Sequence, residues 1–284
     1  MCGLCGFTGE IIDRDAVLEN MTEVITHRGP DSKGFYTDDK ISMGFRRLSI
    51  IDLDNGSQPI YNEDKTLVLM FNGEIYNYKQ LHKELQEKGH VFATDTDSEV
   101  LVHGFEEWRE DLLNRLRGMF GFAIWNRTDE SLFIARDFFG IKPMHYTQVG
   151  GHFLYASEIK SILKFPGFEK KFNYRTLDNY LSFQYAVPPE TFFEGVYCLL
   201  PGHYLWYRDG KVETTRYWEA RFNPDESLTE EQAVDEIEKV FEESVNAHKI
   251  SDVEVGCFLS SGVDSSYVST YFADQKTFTV GFDF

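Results

Sequence analysis

The sequence is poor in positive charge. It contains 28 Lys and Arg residues against 47 Asp and Glu residues, which gives a formal net charge of −19. Affinity for DNA and RNA depends on a cationic surface, so this charge balance argues against nucleic acid as a partner. Much of the acidic excess lies in PDESLTEEQAVDEIEKVFEES (224–244), a pattern that is typical of a solvated helix face.

The sequence also lacks long apolar runs. No stretch approaches the ~18 apolar residues of a membrane span, and the first residues lack the basic-then-apolar pattern of a secretory signal. We therefore expect a cytoplasmic protein with no membrane partner. Hydrophobic residues still make up 42% of the chain and aromatic residues 15%, which is enough for a packed core and excludes a disordered chain.

The four cysteines are too few for a disulfide framework in a chain of 284 residues. They are Cys2, Cys5, Cys198 and Cys257, and a reducing compartment suits them. Cys2 and Cys5 form a C-x-x-C pair, but no second such pair or histidine pair completes a tetrahedral zinc site. Metal or redox use of this pair stays open as an alternative, and no metal ligand is predicted.

Cys2 directly follows the initiator methionine in MCGLCGFTGE. A thiol attacks as its thiolate, so it needs a base or a positive neighbour that lowers its pKa from about 8.5. If Met1 is removed, the α-amine of Cys2, with a pKa of roughly 7.7 to 8.0, can serve as that base. A cysteine near a terminus is by itself more often incidental than catalytic, so the rest of the sequence has to decide.

Residues 6 to about 210 contain many short apolar segments separated by Gly and Asp/Asn turns. Strands are predicted at GFTGEII, SMGFRRLSII, TLVLMFNGEI, MFGFAIWN, SLFIARD, MHYTQV and HFLYAS. Helices are predicted around 17–25, at 77–89 and at 96–108. So many strands with so few helices favour antiparallel sheets over a parallel sheet.

A polar segment at 219–231, EARFNPDESLTEE, predicts a domain linker. A long amphipathic helix is predicted after it, from about Thr229 to Ala247. The strand VEVGCFLS, the helix SYVSTYFADQ and the strand TFTVGF then begin a βαβ pattern. The sequence therefore predicts one domain at 1–210, a linker at 211–228 and the start of a second domain at 229–284.

Seven motifs in the first part of the chain resemble the glutaminase domain of the N-terminal-nucleophile (class II) glutamine amidotransferases. They are MCGLCGFTG, HRGPDSKGFY (27–36), RRLSIID (46–52), FNGEIYNY (71–78), TDTDSEV (94–100), GMFGFAIWN (118–126) and ARDFFGIKPMHY (135–146). The resemblance implies an α+β fold, a four-layer αββα sandwich of two antiparallel sheets. It also implies that Cys2, as the mature first residue, attacks the side-chain amide of glutamine. Ammonia leaves, and water hydrolyses the γ-glutamyl thioester without a cofactor.

The resemblance further implies an oxyanion hole made by the side chain of Asn72 and the backbone N–H of Gly73. Each such donor is typically worth about 10²- to 10³-fold in rate. Without the resemblance, the NGE segment is most simply interpreted as a turn after a strand.

The two charged groups of glutamine also need partners. The resemblance assigns the α-carboxylate to Arg47, because a planar guanidinium can form two parallel hydrogen bonds with a carboxylate. It assigns the α-ammonium to Asp97 and Glu74. Leu48, Ser49, Ile50 and Ile51, which follow the arginine, complete the predicted glutamine site.

The segment CFLSSGVDSSYV (257–268) resembles the S-G-G-x-D-S pyrophosphate loop of ATP pyrophosphatases. Small residues allow backbone N–H groups to approach a phosphate, and the start of a helix favours negative charge. By its residues alone, the loop is more simply interpreted as a capped helix start than as a nucleotide site. The resemblance implies ATP binding by Leu259, Ser260, Gly262, Asp264, Ser265 and Val280, with Val280 against adenine and Asp264 near Mg²⁺. Ser261 stands where the family has its first loop glycine.

A class II glutaminase followed by this loop resembles the glutamine-dependent asparagine synthetase family. The resemblance implies glutamine as a partner and, in the complete enzyme, ATP, Mg²⁺ and aspartate, with β-aspartyl-AMP as the intermediate and AMP and pyrophosphate as products. It also allows a homodimer. The ATP-pyrophosphatase domain of that family is much longer, so we expect this parallel α/β domain to be incomplete. The remainder is expected in cis or in trans, and the chain alone is expected to be a glutaminase only.

Two other interpretations stay open. A related amidotransferase with another acceptor, similar to β-lactam synthetases or to peptide- or sugar-modifying relatives, would use the same two modules. The intact set of Cys2, Arg47, Asn72 and Asp97 favours true glutamine use over a non-functional glutaminase. The second alternative is a non-catalytic regulatory or scaffold partner of a synthetase. A retained Met1 would favour the scaffold, because the α-amine base of Cys2 would then not exist.

Overall fold

A computed structural model describes residues 1–53, 56–272 and 275–281. The chain divides into two compact units, 1–219 and 220–284. The first unit contains two six-stranded sheets, with the strand orders β10-β8-β9-β1-β3-β2 and β12-β11-β7-β6-β5-β4. The strands are β1 (Gly3–Thr8), β2 (Ser32–Thr37), β3 (Ile41–Arg47), β4 (Ile60–Tyr61), β5 (Leu67–Ile75), β6 (Gly118–Asn126), β7 (Ser131–Arg136), β8 (His145–Val149), β9 (His152–Ala156), β10 (Tyr197–Cys198), β11 (His203–Arg208) and β12 (Lys211–Arg216).

The helices of the first unit are short. They are α1 (Arg14–Glu23), α2 (Tyr78–Glu87), α3 (Glu99–Trp108), α4 (Ile159–Ile162) and α5 (Tyr174–Phe183), with 3₁₀ turns at Thr26–Arg28 and Arg109–Asn114. The paired strands within both sheets are antiparallel, including the long β5–β6 ladder from Leu67↔Asn126 to Ile75↔Gly118. The antiparallel sheets predicted from the sequence are therefore confirmed.

β1 is buried along its whole length because each of its two faces packs against a different layer. Leu4 belongs to an apolar cluster between the sheets that includes Met70 of β5 and Trp125 of β6. Cys5 and Phe7 point the other way, into a cluster that contains side chains of α1 and α4. Alternate residues of one strand thus contact the opposite sheet and the helices.

α3 covers the outer face of the second sheet. Phe105 of α3 stacks on Phe133 of β7 with ring centroids 4.9 Å apart, and it also contacts Trp206 of β11. Helices therefore pack on the outer face of each sheet, and the predicted four-layer αββα sandwich is confirmed.

Two segments of the first unit differ from the sequence-based prediction. Residues 211–216, predicted as the start of the linker, form β12, which pairs with β11 from Lys211↔Arg208 to Arg216↔His203. The turn between them is made possible by Asp209 and Gly210, both at positive φ. The predicted first strand, GFTGEII, ends at Thr8 because Gly9 leaves the strand at a φ of 84°.

The second unit begins with α6 (Glu230–His248), followed by β13 (Cys257–Phe258), α7 (Val263–Thr270) and β14 (Thr277–Phe278). Thr229 and Gln232 form a capping box at the start of α6. β13 and β14 are parallel, with Cys257 opposite Thr277, which confirms the predicted start of a βαβ pattern. Phe282, the last residue of the predicted strand, lies outside the described residues.

Within the described ranges, none of the helices is both long enough and apolar enough to cross a membrane.

Candidate active site

One cleft in the first unit brings together most of the residues predicted to bind glutamine. Of the predicted residues, eight line this cleft: Cys2, Arg47, Leu48, Ile50, Ile51, Gly73, Glu74 and Asp97. Gly56, Gln58, Phe71, Thr96 and Ser98 line it as well. Ser49 and Asn72 were also predicted and are not among the lining residues. The cleft is built by the residue before β1, the end of β3 and the segment after it, the end of β5 and the turn before α3.

The thiol of Cys2 lies against the backbone of Leu48. The Leu48 N–H donates to Cys2 Sγ at 3.3 Å, and Sγ lies 3.5 Å from the Leu48 carbonyl oxygen. Burial raises the pKa of the Cys2 thiol, although the Leu48 N–H, the α-ammonium group and Arg47 oppose this rise. The surroundings alone therefore leave Cys2 protonated at neutral pH, and a base is needed to make the thiolate.

Met1 carries the α-amine in this structure and is 54% exposed. Burial lowers the pKa of this amine, and the positive charges of Arg28 and Lys142 add to the effect. The charge of Cys2 opposes this shift, but the pKa of the Met1 amine stays below its usual value, so this amine is easier to deprotonate than one in free solution.

Arg47 holds the loop that forms one wall of the cleft. Its Nη1 donates to the Leu53 carbonyl at 3.1 Å, and its Nη2 donates to the carbonyls of Ile51 at 3.1 Å and Asp52 at 2.6 Å. The side chain is buried and lines the cleft. The predicted strand SMGFRRLSII ends at Arg47, because the residues that follow turn around this guanidinium.

Asn72 lies on β5 and is 1% exposed. Its Nδ2 is buried without a hydrogen-bond partner. A buried donor without a partner costs free energy and is usually explained by function. Gly73 follows on the same strand, where an added Cβ would lie 2.2 Å from the Met119 carbonyl oxygen, so β6 leaves no room for a side chain.

Glu74 and Asp97 form a pair of carboxyl groups, of which Asp97 is buried and Glu74 is partly buried. The Ile75 N–H donates to Asp97 Oδ2 at 2.9 Å and holds that side chain in place. Burial raises the pKa of both carboxyl groups, and the charge of Asp97 raises the pKa of Glu74 further. A cation placed between them would be favoured, because it would stabilise both ionised forms.

Two basic residues at this site were not predicted from the sequence. Arg28 Nε donates to the Cys2 carbonyl oxygen at 2.8 Å, and Arg28 Nη1 contacts Glu158 at 3.0 Å, which fixes the start of β1. Lys142 is 3% exposed; burial lowers its pKa, while the charges of Glu74 and Cys2 oppose this. Arg28 lies in the motif HRGPDSKGFY and Lys142 lies in the motif ARDFFGIKPMHY. Their place in these motifs was the signal in the sequence that could have identified them as site residues.

The loop predicted to bind ATP lies in the second unit. Leu259 and Ser260 follow β13, Val280 follows β14, and Gly262, Asp264 and Ser265 lie at the start of α7. Just beyond the ends of the two parallel strands, the Thr279 hydroxyl donates to the Leu259 carbonyl at 2.8 Å.

Hydrogen bonds between neighbouring residues close this loop. The Ser260 N–H donates to Ser265 Oγ at 3.1 Å, the two serine hydroxyls lie 2.8 Å apart, and the Gly262 N–H donates to Ser260 Oγ at 3.2 Å. Hydroxyls, backbone N–H groups and a helix N-terminus suit a phosphate group, and the carboxylate of Asp264 suits Mg²⁺.

Comparisons with known protein families agree with this division of the chain. A family described as the glutamine amidotransferase domain matches residues 1–218, and a family described as asparagine synthase matches residues 236–284.

The chain is similar to two curated proteins of Bacillus subtilis. It is 41% identical to asparagine synthetase [glutamine-hydrolyzing] 1, over 99% of the chain and 46% of that protein. It is 38% identical to asparagine synthetase [glutamine-hydrolyzing] 2, over 99% of the chain and 40% of that protein. The chain therefore spans less than half the length of these relatives.

A solved structure supports the fold. Glutamine phosphoribosylpyrophosphate amidotransferase from B. subtilis superimposes with a TM-score of 0.56 at 16% identity, over 98% of this chain and 65% of that one. This likeness concerns the N-terminal-nucleophile type of fold alone.

Proposed function

The chain belongs to the glutamine amidotransferase domain family, and from this we propose that its first unit hydrolyses glutamine with Cys2 as the nucleophile. The observation that carries the proposal is the single cleft that contains the Cys2 thiol, Arg47 and the Glu74–Asp97 pair. These groups match the amide, the α-carboxylate and the α-ammonium of glutamine, and they come from elements that are far apart in the sequence.

In the proposed reaction, removal of Met1 places the α-amine on Cys2 itself. The free amine takes the proton of the thiol, and Sγ attacks the side-chain amide carbon of glutamine. The carbon–nitrogen bond then breaks, and the amide nitrogen leaves as ammonia with a proton from the α-ammonium. Water attacks the resulting γ-glutamyl thioester, which releases glutamate and restores the thiol.

The unpartnered Nδ2 of Asn72 supports its role as an oxyanion donor. A donor that is already oriented, and has no competing acceptor, stabilises the negative oxygen without further rearrangement. β6 lies so close to Gly73 that no side chain could be accommodated at this position. We assign the backbone N–H of Gly73 as the second donor.

The two ends of the substrate would be bound by opposite charges. We assign the α-carboxylate to Arg47, whose position is fixed by three backbone carbonyls. We assign the α-ammonium to Glu74 and Asp97. An ammonium group between them would lower the pKa of each, so substrate binding would relieve the repulsion that exists in the free protein.

For the second unit, we propose that the loop after β13 binds the phosphates of ATP in a complete synthetase that amidates aspartate. The names of the B. subtilis relatives and the match at 236–284 support this acceptor. Ser260, Gly262 and Ser265 would hold the phosphates, and Asp264 would hold Mg²⁺. Bound Mg²⁺ would neutralise charge on the phosphates. Leu259 and Val280 would contact the rest of the nucleotide.

Labelling with a glutamine-like diazoketone tests the first part of this proposal. The reagent should inactivate the processed protein, and peptide mass spectrometry should find one adduct, on a Cys2 that carries no Met1. Glutamine should protect the protein from labelling. Inactivation with the adduct on Cys198, or full glutamine hydrolysis by a Cys2→Ala variant, would remove Cys2 as the nucleophile.

A further inference from the structure

A second cluster of chemically active side chains lies in the first unit, and none of its residues lines the cleft. Glu63 follows β4, His90 follows α2, and His103 and Glu106 lie one turn apart on α3. Each residue offers one ligand atom, and these four atoms lie within 4.8 Å of one another. No metal ligand was predicted here from the sequence, because the residues come from three separate segments.

The two imidazoles face the same carboxylate. His103 Nδ1 lies 3.2 Å from Glu63 Oε2, and His90 Nδ1 lies 3.2 Å from Glu63 Oε1. Ligand atoms that surround a tetrahedral zinc ion at 2.0–2.1 Å are separated by about 3.3 Å. Each of these two nitrogen–oxygen distances, which involve different oxygens of Glu63, is close to the separation of neighbouring zinc ligands.

His103 supplies an independent sign of a missing partner. Its side chain is 1% exposed, and its Nδ1 is buried without a hydrogen-bond partner even though Glu63 is near. Its other nitrogen, Nε2, lies 3.3 Å from Glu99 Oε1. If Nε2 donates its proton to Glu99, the lone pair of Nδ1 faces the lone pairs of Glu63, an arrangement that a cation would stabilise.

A carboxylate oxygen also lies near the Nε2 atom of each imidazole. Glu99 accepts hydrogen bonds from the backbone of Ala93 and Thr94, each at 2.7 Å, so its position behind His103 is fixed. Glu107 Oε2 lies 3.7 Å from His90 Nε2. A carboxylate on the far nitrogen of a ligating histidine is the usual way in which proteins orient that ligand.

From this arrangement we propose that Glu63, His90, His103 and Glu106 bind one divalent transition-metal ion of the zinc class. Two imidazoles and two carboxylates suit Zn²⁺, whereas Mg²⁺ and Ca²⁺ prefer all-oxygen sites. Four protein ligands leave no open position, so the ion is structural. It ties α3 to the segments that precede it in the chain, next to the turn that carries Asp97. Glu63 and Glu106 are accessible to solvent and provide the entry path.

The test is metal binding by the chelator-treated full chain. Calorimetric titration with Zn²⁺ should give one ion per chain, and Co²⁺ should give the strong visible absorption of a four-coordinate site. At a hundredfold excess of free Zn²⁺ over Kd, Tm should rise by about 5 to 10 °C. Absence of uptake at excess Zn²⁺ would overturn the proposal and would leave the cluster as a network of histidines and carboxylates without a metal ion.

Substitutions of single carboxylates test whether the ion binds at this cluster. Glu63→Gln and Glu106→Gln both alter solvent-accessible side chains, and each should weaken binding by at least about tenfold. Glu87→Gln is the matched control, because this exposed carboxylate lies on α2 outside the cluster and should bind normally. Circular dichroism checks that each variant is folded.

The thiol of Cys2 is a competing zinc ligand, so the titration is repeated with Cys2→Ala. Unchanged binding in Cys2→Ala, together with weakened binding in Glu63→Gln and Glu106→Gln, supports the site. Loss of the ion in Cys2→Ala, or full binding in both glutamine variants, would overturn it. Because the readout is binding, this result is independent of the proposed glutamine hydrolysis.

Discussion

The two units differ in how their candidate sites are held together. In the first unit, the cleft residues come from distant segments, and long-range contacts such as Leu48 with Cys2 and Ile75 with Asp97 hold them in place. In the second unit, the serine loop is closed by hydrogen bonds between residues at most five apart. A site of the first kind depends on a complete core, whereas a loop of the second kind can form from local sequence.

Burial shows the same contrast. Arg47, Asn72 and Asp97 are each at most 6% exposed, although all three are polar or charged. In the second unit, apolar side chains near the loop are open to solvent: Phe258 is 83% exposed and Val280 is 82% exposed. We therefore expect substitutions in the first unit to affect chemistry strongly, and those in the second unit to have local effects.

The largest expected effect is that of removing the nucleophile. Cys2→Ala should reduce glutamine hydrolysis by at least about 10⁴-fold, because no other group can form the thioester. Cys257→Ala, in the second unit, is the matched control and should hydrolyse glutamine at the normal rate. Release of glutamate measured for both variants compares the units directly, and equal losses would show that they do not act separately.

Asn72→Ala should lower kcat by about 10² to 10³-fold, because a donor to the oxyanion is lost while ground-state contacts stay. KM for glutamine should change little. Steady-state kinetics at saturating glutamine check this, and a change confined to KM would assign Asn72 to substrate binding instead. A Tm close to that of the unaltered protein would show that the fold is intact.

Asp97→Asn should have opposite effects on binding and stability. KM for glutamine should rise by about tenfold to a hundredfold, because the ammonium loses a charged partner. The raised pKa of Asp97 means that the folded state binds more protons than the unfolded state, so stability falls as pH rises from about 4 through neutrality. The side-chain amide of the Asp97→Asn variant does not ionise, so this loss of stability with rising pH does not occur.

Thermal unfolding across this pH range measures the stability effect. The Asp97→Asn variant should be more stable than the unaltered protein at pH 8 by at least about 1.4 kcal/mol, the equivalent of one pKa unit. The difference should shrink as pH approaches 4. A variant that is less stable at pH 8 would show that the ionised carboxylate is favoured in the free cleft.

The smallest effect is expected at the start of the second unit. Thr229→Ala removes the side chain that caps α6 and should destabilise that helix by about 1 kcal/mol. Hydrogen exchange should accelerate in α6, while exchange in β5 and β6 and glutamine hydrolysis should stay unchanged. Faster hydrogen exchange in both units would contradict the view that each unit is stabilised by its own contacts.

The sequence indicated the strand-rich unit, the parallel start of the second unit and most of the cleft. Strong apolar patterns predicted β5, β6, β7 and β9, because these strands are mostly buried and bounded by turns. β8 was also predicted, although only Thr147 of this strand is buried. The sequence analysis did not predict α5, whose only buried residue is Thr176: Tyr174 is 73% exposed and Leu181 is 72% exposed. β12 was also not predicted, and most of its residues are exposed.

Contacts between distant segments were the part that the sequence did not show. Arg28 and Lys142 lie inside motifs, but nothing in their spacing reveals that one binds the Cys2 carbonyl and the other is buried near Glu74. The cluster that contains His90 and His103 was not predicted for the same reason, because its residues lie on three segments that only the folded chain brings together.

The central claim is that Cys2 supplies both the thiol and its own base, and one measurement tests this most directly. The chain is prepared with a removable N-terminal extension that a protease cuts immediately before Cys2, and glutamate release is measured before and after the cut. We expect hydrolysis to appear only when the α-amine of Cys2 becomes free. Equal rates before and after cleavage would show that another group activates the thiol.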